Sequence, residues 1–220
     1  MLAPIELDDL LWQRIGVFIR RTPYERIGKP VLDRVVALLL LILLSPVLAA
    51  ALLWVRPQIG PGGAFFRQQR IGLGGRPFTI YKVRTMQVDR RLGAGGYGGP
   101  DRRSEHKTAA DPRHTPRGTL LRRLSIDELP QLWNVVRGDM SLVGPRPELA
   151  ELVERHRLHG HPRHRVKPGL TGPWQVSPDR SEPLVLHLAR DVAYLTRITF
   201  WGDAAILART VLAVARGAGR

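Results

Sequence analysis

Residues 35–55 read VVALLLLILLSPVLAAALLWV, a stretch without a charge in a 220-residue chain that carries 34 Lys+Arg against 19 Asp+Glu. At about 1.5 Å per residue, a helix of this length covers the hydrocarbon layer of a bilayer. The run starts too deep in the chain for a cleaved signal peptide and lacks a small-residue cleavage site. Pro46 near its middle removes a backbone hydrogen bond and crowds the preceding turn, while the Ser45 hydroxyl can serve a freed carbonyl. Spanning helices also tolerate such prolines. Arg20, Arg21, Arg26, Lys29 and Arg34 precede the run and Arg56, Arg67, Arg70 and Arg76 follow it, so charge bias does not orient a crossing. The residues leave open a straight span and a re-entrant helix-break-helix with both ends at one surface.

Working outward, the length allows one domain with an appendage. Cysteine is absent, which excludes disulfides, thiolate metal sites and a cysteine nucleophile and fits a reducing compartment. The formal net charge of +15 attracts nucleic acid, anionic headgroups or phosphorylated substrates. A membrane-tethered scaffold or nucleic-acid-binding protein would interleave aromatic with basic residues for base stacking. Only 6% of the chain is aromatic, so no nucleic-acid partner is expected. Residues 1–28 mix acids with Leu10, Leu11, Trp12, Ile15, Val17, Phe18 and Ile19, the pattern of an amphipathic helix on the interface or on the soluble part.

Beyond the run, residues 64–66 and 78–81 are short apolar stretches around Gly72-Leu73-Gly74-Gly75, which predicts a β-hairpin. Residues 87–110, with GAGGYGG, predict a mobile loop beside a site. Leu120, Leu121 and Leu124 fall on one helical face, and residues 201–214 predict a closing amphipathic helix. The fold class is therefore α+β, mainly helical and membrane-associated. Its parts are residues 1–28, a membrane helix over 29–56, and a soluble domain over 57–220.

In RRLSIDELPQLWNVV, residues 122–136, two acids stand side by side. Ser125-Ile126-Asp127-Glu128 fits a capping box, but Pro130 would then sit where an amide is needed. With Asp127 as the cap, Pro130 falls in the first turn. That places Asp127 at a helix N-terminus, which favours a carboxylate or a bound phosphate. A structural cap and a catalytic pair both fit. GPRP, residues 144–147, presents Arg146 between prolines, and a fixed guanidinium suits bidentate phosphate binding. His156, His159, His161 and His164 crowd one stretch, but neighbouring arginines repel a dication, so a basic solvated segment is favoured over a metal site. Under the competing reading, a spanning phosphotransferase would use these histidines for metal.

These stretches together resemble the bacterial sugar transferase family, the monotopic polyprenyl-phosphate phosphoglycosyl transferases. The likeness covers residues 29–215 and rests on KPVLDR before a run broken at Ser45-Pro46, FTIYKVRTM, LSIDELPQLWNVVRGDMSLVGPRPE, KPGLTGPWQV and GDAAILARTV. The chain looks like the small, catalytic-core-only form. The resemblance implies transfer of a sugar phosphate from a nucleoside diphosphate sugar, usually a UDP-sugar, to polyprenyl (undecaprenyl) phosphate. UMP leaves, and a covalent phosphosugar-aspartate forms in between. It implies Asp127 as nucleophile, Glu128 as the acid that holds Mg²⁺, and Lys82, Arg122, Arg146 and Asp203 around the phosphates and metal, Asp203 with Glu128 as a metal ligand.

It also implies a re-entrant helix with Lys29 and Asp33 at its base, near the lipid headgroups. The setting implied is the cytoplasmic face of a bacterial inner membrane, at the first membrane step of exopolysaccharide, O-antigen or other glycoconjugate synthesis; a homodimer is compatible with it. Two departures touch the nucleotide or sugar end. Pro173 disturbs the usual order after Gly172, and SPDR replaces the common Asn-Gly-Arg, with Arg180 as the arginine that could stand in. Pro30 replaces a basic residue beside Lys29.

Overall fold

The computed structural model describes residues 21–59, 63–87, 115–178 and 188–217. Most of the proposed interfacial segment 1–28, most of the loop 87–110 and Arg180 lie outside them. A π-helical turn, Tyr24–Gly28, leads into α1, Lys29–Ile59. The α-helix runs on through Ser45–Pro46 instead of stopping there. The reason is local: Pro46 lacks the amide that would reach Ile42 four residues back, and the Ser45 hydroxyl donates to that Ile42 carbonyl at 2.8 Å.

Burial along α1 falls into two stripes of four-residue spacing, Lys29, Asp33, Ala37 and Ala51, Val55, Ile59. That spacing keeps each stripe on one helix face. Ala37 belongs to the main core with Ile80, Leu132, Val135, Met140 and Leu195. The second stripe packs with Val83 and Leu121 in a separate cluster. Between them, Ile42, Leu43 and Val47 are exposed, Leu43 at 71%.

β1, Phe65–Ile71, and β2, Pro77–Val83, form the predicted hairpin, antiparallel from Phe65↔Val83 to Ile71↔Pro77. Gly74 and Gly75 take φ of 66° and 73° in its turn, the left-handed region open to glycine at no steric cost. The strands run longer than their apolar cores because alternate polar residues face out. Next come α2, Pro116–Arg123, and α3, Gln131–Arg137. Leu121 is buried while Leu120 and Leu124 are exposed, so the leucines do not share one buried face. β3, Ser141–Val143, pairs in parallel with β4, Gly169–Thr171. α4, Ala150–Arg155, lies between them, and α5, Leu188–Thr196, and α6, Phe200–Ala215, follow. α6 matches the expected closing helix.

The histidine-rich stretch keeps its solvated reading at His156 and His159, which are exposed, and departs from it beyond them. His161, Arg163 and His164 are buried, and Arg163 pairs at 3.1 Å with Asp191, which is itself buried in α5. Burial drives His161 down to about 3 and His164 to about 4, so both imidazoles are neutral at physiological pH. The segment sinks because a buried carboxylate compensates its arginine, a partner that local sequence does not reveal.

Candidate functional site

The acid pair sits on a short 3₁₀ turn, Ile126–Glu128, ahead of α3. Ser125 takes φ 55° and makes no side-chain cap, so the capping box is not formed. Helix α3 begins after Pro130 rather than at the acids, and the expected placement of Asp127 as its cap is corrected. Pro130 still falls at the helix start, where its missing amide costs nothing.

Asp127 is 6% exposed, and its Oδ1 has no hydrogen-bond partner among the described residues. Burial, then the neighbouring Glu128 charge, push its carboxyl up to about 7, against the pull of Lys82 and Arg122. The Lys82 ammonium donates to Glu128 Oε1 at 2.7 Å. Arg122, in the last turn of α2, is anchored by a bond from Nη2 to Thr119 Oγ1. The structure thus gathers Asp127, Glu128, Lys82 and Arg122 from β2, α2 and the turn before α3.

Two residues that sequence reading missed hold this group. Asn134, fully buried in α3, donates from Nδ2 to Thr79 O at 2.7 Å and accepts from Tyr81 N. It therefore fixes β2, and with it Lys82, on α3. An amide inside the apolar stretch LWNVV was the available signal, since a buried amide needs partners. Arg70, on β1, donates to Pro147 O and Gln68 Oε1, and burial lowers its guanidinium to about 10. Glu128 and Arg146 are both close enough to act on its charge.

Arg146 lies with its guanidinium 5.7 Å from the centroid of the Trp174 ring, a cation–π distance. Its own carbonyl accepts from Arg163 Nη2 at 2.7 Å, so the loop is held at Arg146 by the buried Arg163 and at Pro147 by the partly buried Arg70. Backbone bonds from Gly144 N to Thr171 O and from Gly169 N to Pro145 O hold it against β4. A Cβ on Gly169 would collide with Gly144 backbone.

Asp203 is placed elsewhere than expected. Its Oδ2 accepts from Lys29 Nζ at 2.6 Å and Tyr24 OH at 2.9 Å, and its Oδ1 from Tyr194 OH at 2.8 Å. Burial and the Asp203 charge hold both phenols well above their ordinary range. Ser141 Oγ donates to Asp33 Oδ2 at 2.5 Å, and Lys29 lies 3.7 Å from Asp33. Lys29 and Asp33 therefore stand at the base of α1 as expected, with Asp203 as their partner rather than Glu128's. The carboxylate is fully engaged by three donors, and among the described residues no three His, Asp or Glu groups converge as a ligand set. Asp203 is thus paired with Lys29 and Glu128 with Lys82. Mg²⁺ does fit Glu128: it commonly takes only one or two carboxylates, with water and substrate phosphate filling the rest.

The model of the bacterial sugar transferase family matches residues 24–217. The chain is 42% identical over 219 residues to UDP-glucose:undecaprenyl-phosphate glucose-1-phosphate transferase of Caulobacter vibrioides, covering 94% of this chain and 78% of the relative. It is 37% identical over 204 residues to the Xanthomonas campestris protein of the same name, covering 89% of this chain and 40% of that one. The exopolysaccharide production protein ExoY of Sinorhizobium fredii is 36% identical over 203 residues, 90% of this chain and 89% of ExoY. The chain thus spans about 40% of the length of the Xanthomonas and Escherichia coli relatives and most of the shorter ones. With the acid pair, its lysine and the arginine loop in place along the matched span, the chain belongs to the bacterial sugar transferase family.

Proposed function

We propose that the protein transfers a sugar phosphate from a UDP-sugar to undecaprenyl phosphate through a phosphosugar-Asp127 intermediate. The observation that carries this is the buried Asp127 with an unpartnered Oδ1, beside a Glu128 already neutralised by Lys82. A carboxylate oxygen held without donors keeps its lone pairs for a phosphorus. Asp127 attacks the β-phosphorus, the bond to the UMP oxygen breaks, and UMP leaves with the electron pair. The phosphate oxygen of the lipid then attacks the same phosphorus and expels the Asp127 carboxylate. Splitting the transfer into two displacements is the usual use of a carboxylate nucleophile.

Lys82, Arg122 and Arg146 supply positive charge for phosphate oxygens, the main requirement of phosphoryl transfer. Glu128 would hold Mg²⁺, which when bound neutralises diphosphate charge. The relatives' names, glucose-1-phosphate and galactose phosphotransferases of undecaprenyl phosphate, support this reaction class.

The same reading places α1 in the membrane as a re-entrant element, with the site at headgroup level on the cytoplasmic face of the inner membrane. Support comes from its two ends, which both pack on the globular part through separate clusters, while the apolar residues around Ser45–Pro46 face outward. A straight crossing would carry one end away from the domain. The test incubates the full chain with labelled UDP-sugars, with and without Mg²⁺ and with no acceptor. Wild type is expected to release UMP and retain a phosphosugar adduct, and Asp127→Asn to do neither. Normal turnover by Asp127→Asn would reject the assignment. Cysteines introduced at both ends of 35–55 and labelled from one side only would support the re-entrant path.

A further inference from the structure

At the base of α1, away from the acid pair, lies a cavity of about 210 Å³ that shares no lining residue with Asp127, Glu128 or Lys82. Six cations line it: Arg21, Arg26, Lys29, Arg34, Arg165 and Lys167, of which Lys29 is already paired with Asp203. Glu25 and Asp33 are the acids there, and Asp33 is already engaged by Ser141 and Lys29. Arg34 and Lys167, both in its lining, lie close to one another beside Gly138: a Cβ built there would be 2.5 Å from Arg34 Nη2 and 3.4 Å from Lys167 Nζ.

Burial and the Arg34 charge together lower the Lys167 ammonium. Two like charges brought together at a half-buried site are stabilised by an anion between them. Beneath the cations the wall is apolar, with Val135, Met140 and Val143 buried and Ile198 beside them. Beside it on α1, Val31 and Val35 are exposed at 54% and 51%, where the uncharged run begins. The cavity is smaller than the range of about 300–1,000 Å³ typical of drug-sized ligands, and it suits a phosphate with a short apolar continuation.

We propose that this cavity binds the phosphate of an anionic membrane phospholipid, held between Arg34 and Lys167 with the start of its apolar part against Val135 and Met140. Basic pockets beside membrane helices recognise lipid headgroups in this way. The site would hold the leg of α1 that carries Lys29 at the membrane surface, separately from the lipid substrate that reacts at Asp127. The inference rests on the membrane reading of α1.

The test is native mass spectrometry of the detergent-solubilised full chain offered equal phosphatidylglycerol and phosphatidylcholine. Wild type is expected to retain phosphatidylglycerol preferentially. Each charge removed should cost roughly fivefold, so about 25-fold for Arg34→Gln/Lys167→Gln, while Arg34→Lys/Lys167→Arg keeps the preference. The exposed single variant Arg34→Gln, expected to lose roughly fivefold, provides the reading should the double variant not fold.

UMP release by the charge-removed variants should stay at the wild-type level. Undiminished retention by them, or equal retention of both lipids by wild type, overturns the site. Displacement of the lipid by millimolar inorganic phosphate would show a free-phosphate site instead. Flotation with pure phosphatidylcholine vesicles separates the two readings: a chain that does not float refutes the membrane placement, whereas one that floats without lipid preference refutes only this cavity's role.

Discussion

The Lys82 ammonium, from the end of the hairpin's second strand, lies 2.7 Å from Glu128 Oε1 and also pulls the adjacent Asp127 carboxyl downward. One lysine therefore serves two carboxylates that would otherwise repel each other at a buried turn. Lys82→Met should lower turnover about 10²–10³-fold, the usual cost of one preorganised electrostatic donor. It should also move the acid limb of the pH–rate profile to higher pH, because Asp127 loses its lysine. Initial rates of UMP release across pH check both, and an unmoved limb would place Lys82 outside the pair's electrostatics.

Asp127 itself titrates at about 7, and the proposed attack needs its carboxylate. Activity should rise with pH up to that value. For stability the sign is reversed: a carboxyl raised above its unfolded value contributes stability at low pH, and that contribution is lost as pH rises through about 7. Asp127→Asn should thus be about 1–3 kcal/mol more stable than wild type near pH 8 and no more stable near pH 4. Thermal unfolding of both proteins at the two pH values measures it.

Arg163, 3% exposed, reaches the Arg146 carbonyl at one nitrogen and Asp191 at 3.1 Å. It is a positioning residue for the loop that offers Arg146. Both contacts are made by the same nitrogen, Nη2, and Arg163→Lys keeps the charge but replaces the planar guanidinium with a compact ammonium. It should raise KM for the nucleotide sugar about tenfold with a smaller change in kcat, as expected when a binding group is displaced and the reacting carboxylate is left in place. Equal loss in both parameters, or loss only through lower Tm, would reduce Arg163 to a packing role.

The Lys29–Asp203 pair, at 2.6 Å, joins α1 to α6. Lys29→Met leaves a buried carboxylate uncompensated and should cost about 3–5 kcal/mol, most of it recovered in Lys29→Met/Asp203→Leu. Asp203→Asn should leave the Mg²⁺ concentration for half-maximal activity unchanged, because Asp203 is occupied by Lys29, Tyr24 and Tyr194. A rise in that concentration would return Asp203 to the metal.

Several features were legible from local sequence because their causes are local. The uncharged run, the hairpin around Gly74 and Gly75, and the Ser45 hydroxyl beside a proline-freed carbonyl each follow from neighbours within a few residues. Motif order identified the family, and through it the acid pair with Lys82, Arg122 and Arg146. The partners of buried charges were not legible, since pairing across the chain carries no local periodicity. Asp203 meets Lys29 from 174 residues away, and Arg163 meets Asp191 from a different helix. The sequence by itself determined which segments are apolar, where turns fall and which side chains can carry charge. Only the tertiary structure decided which charges compensate one another, because burying an ion is tolerable only where a distant partner arrives with it.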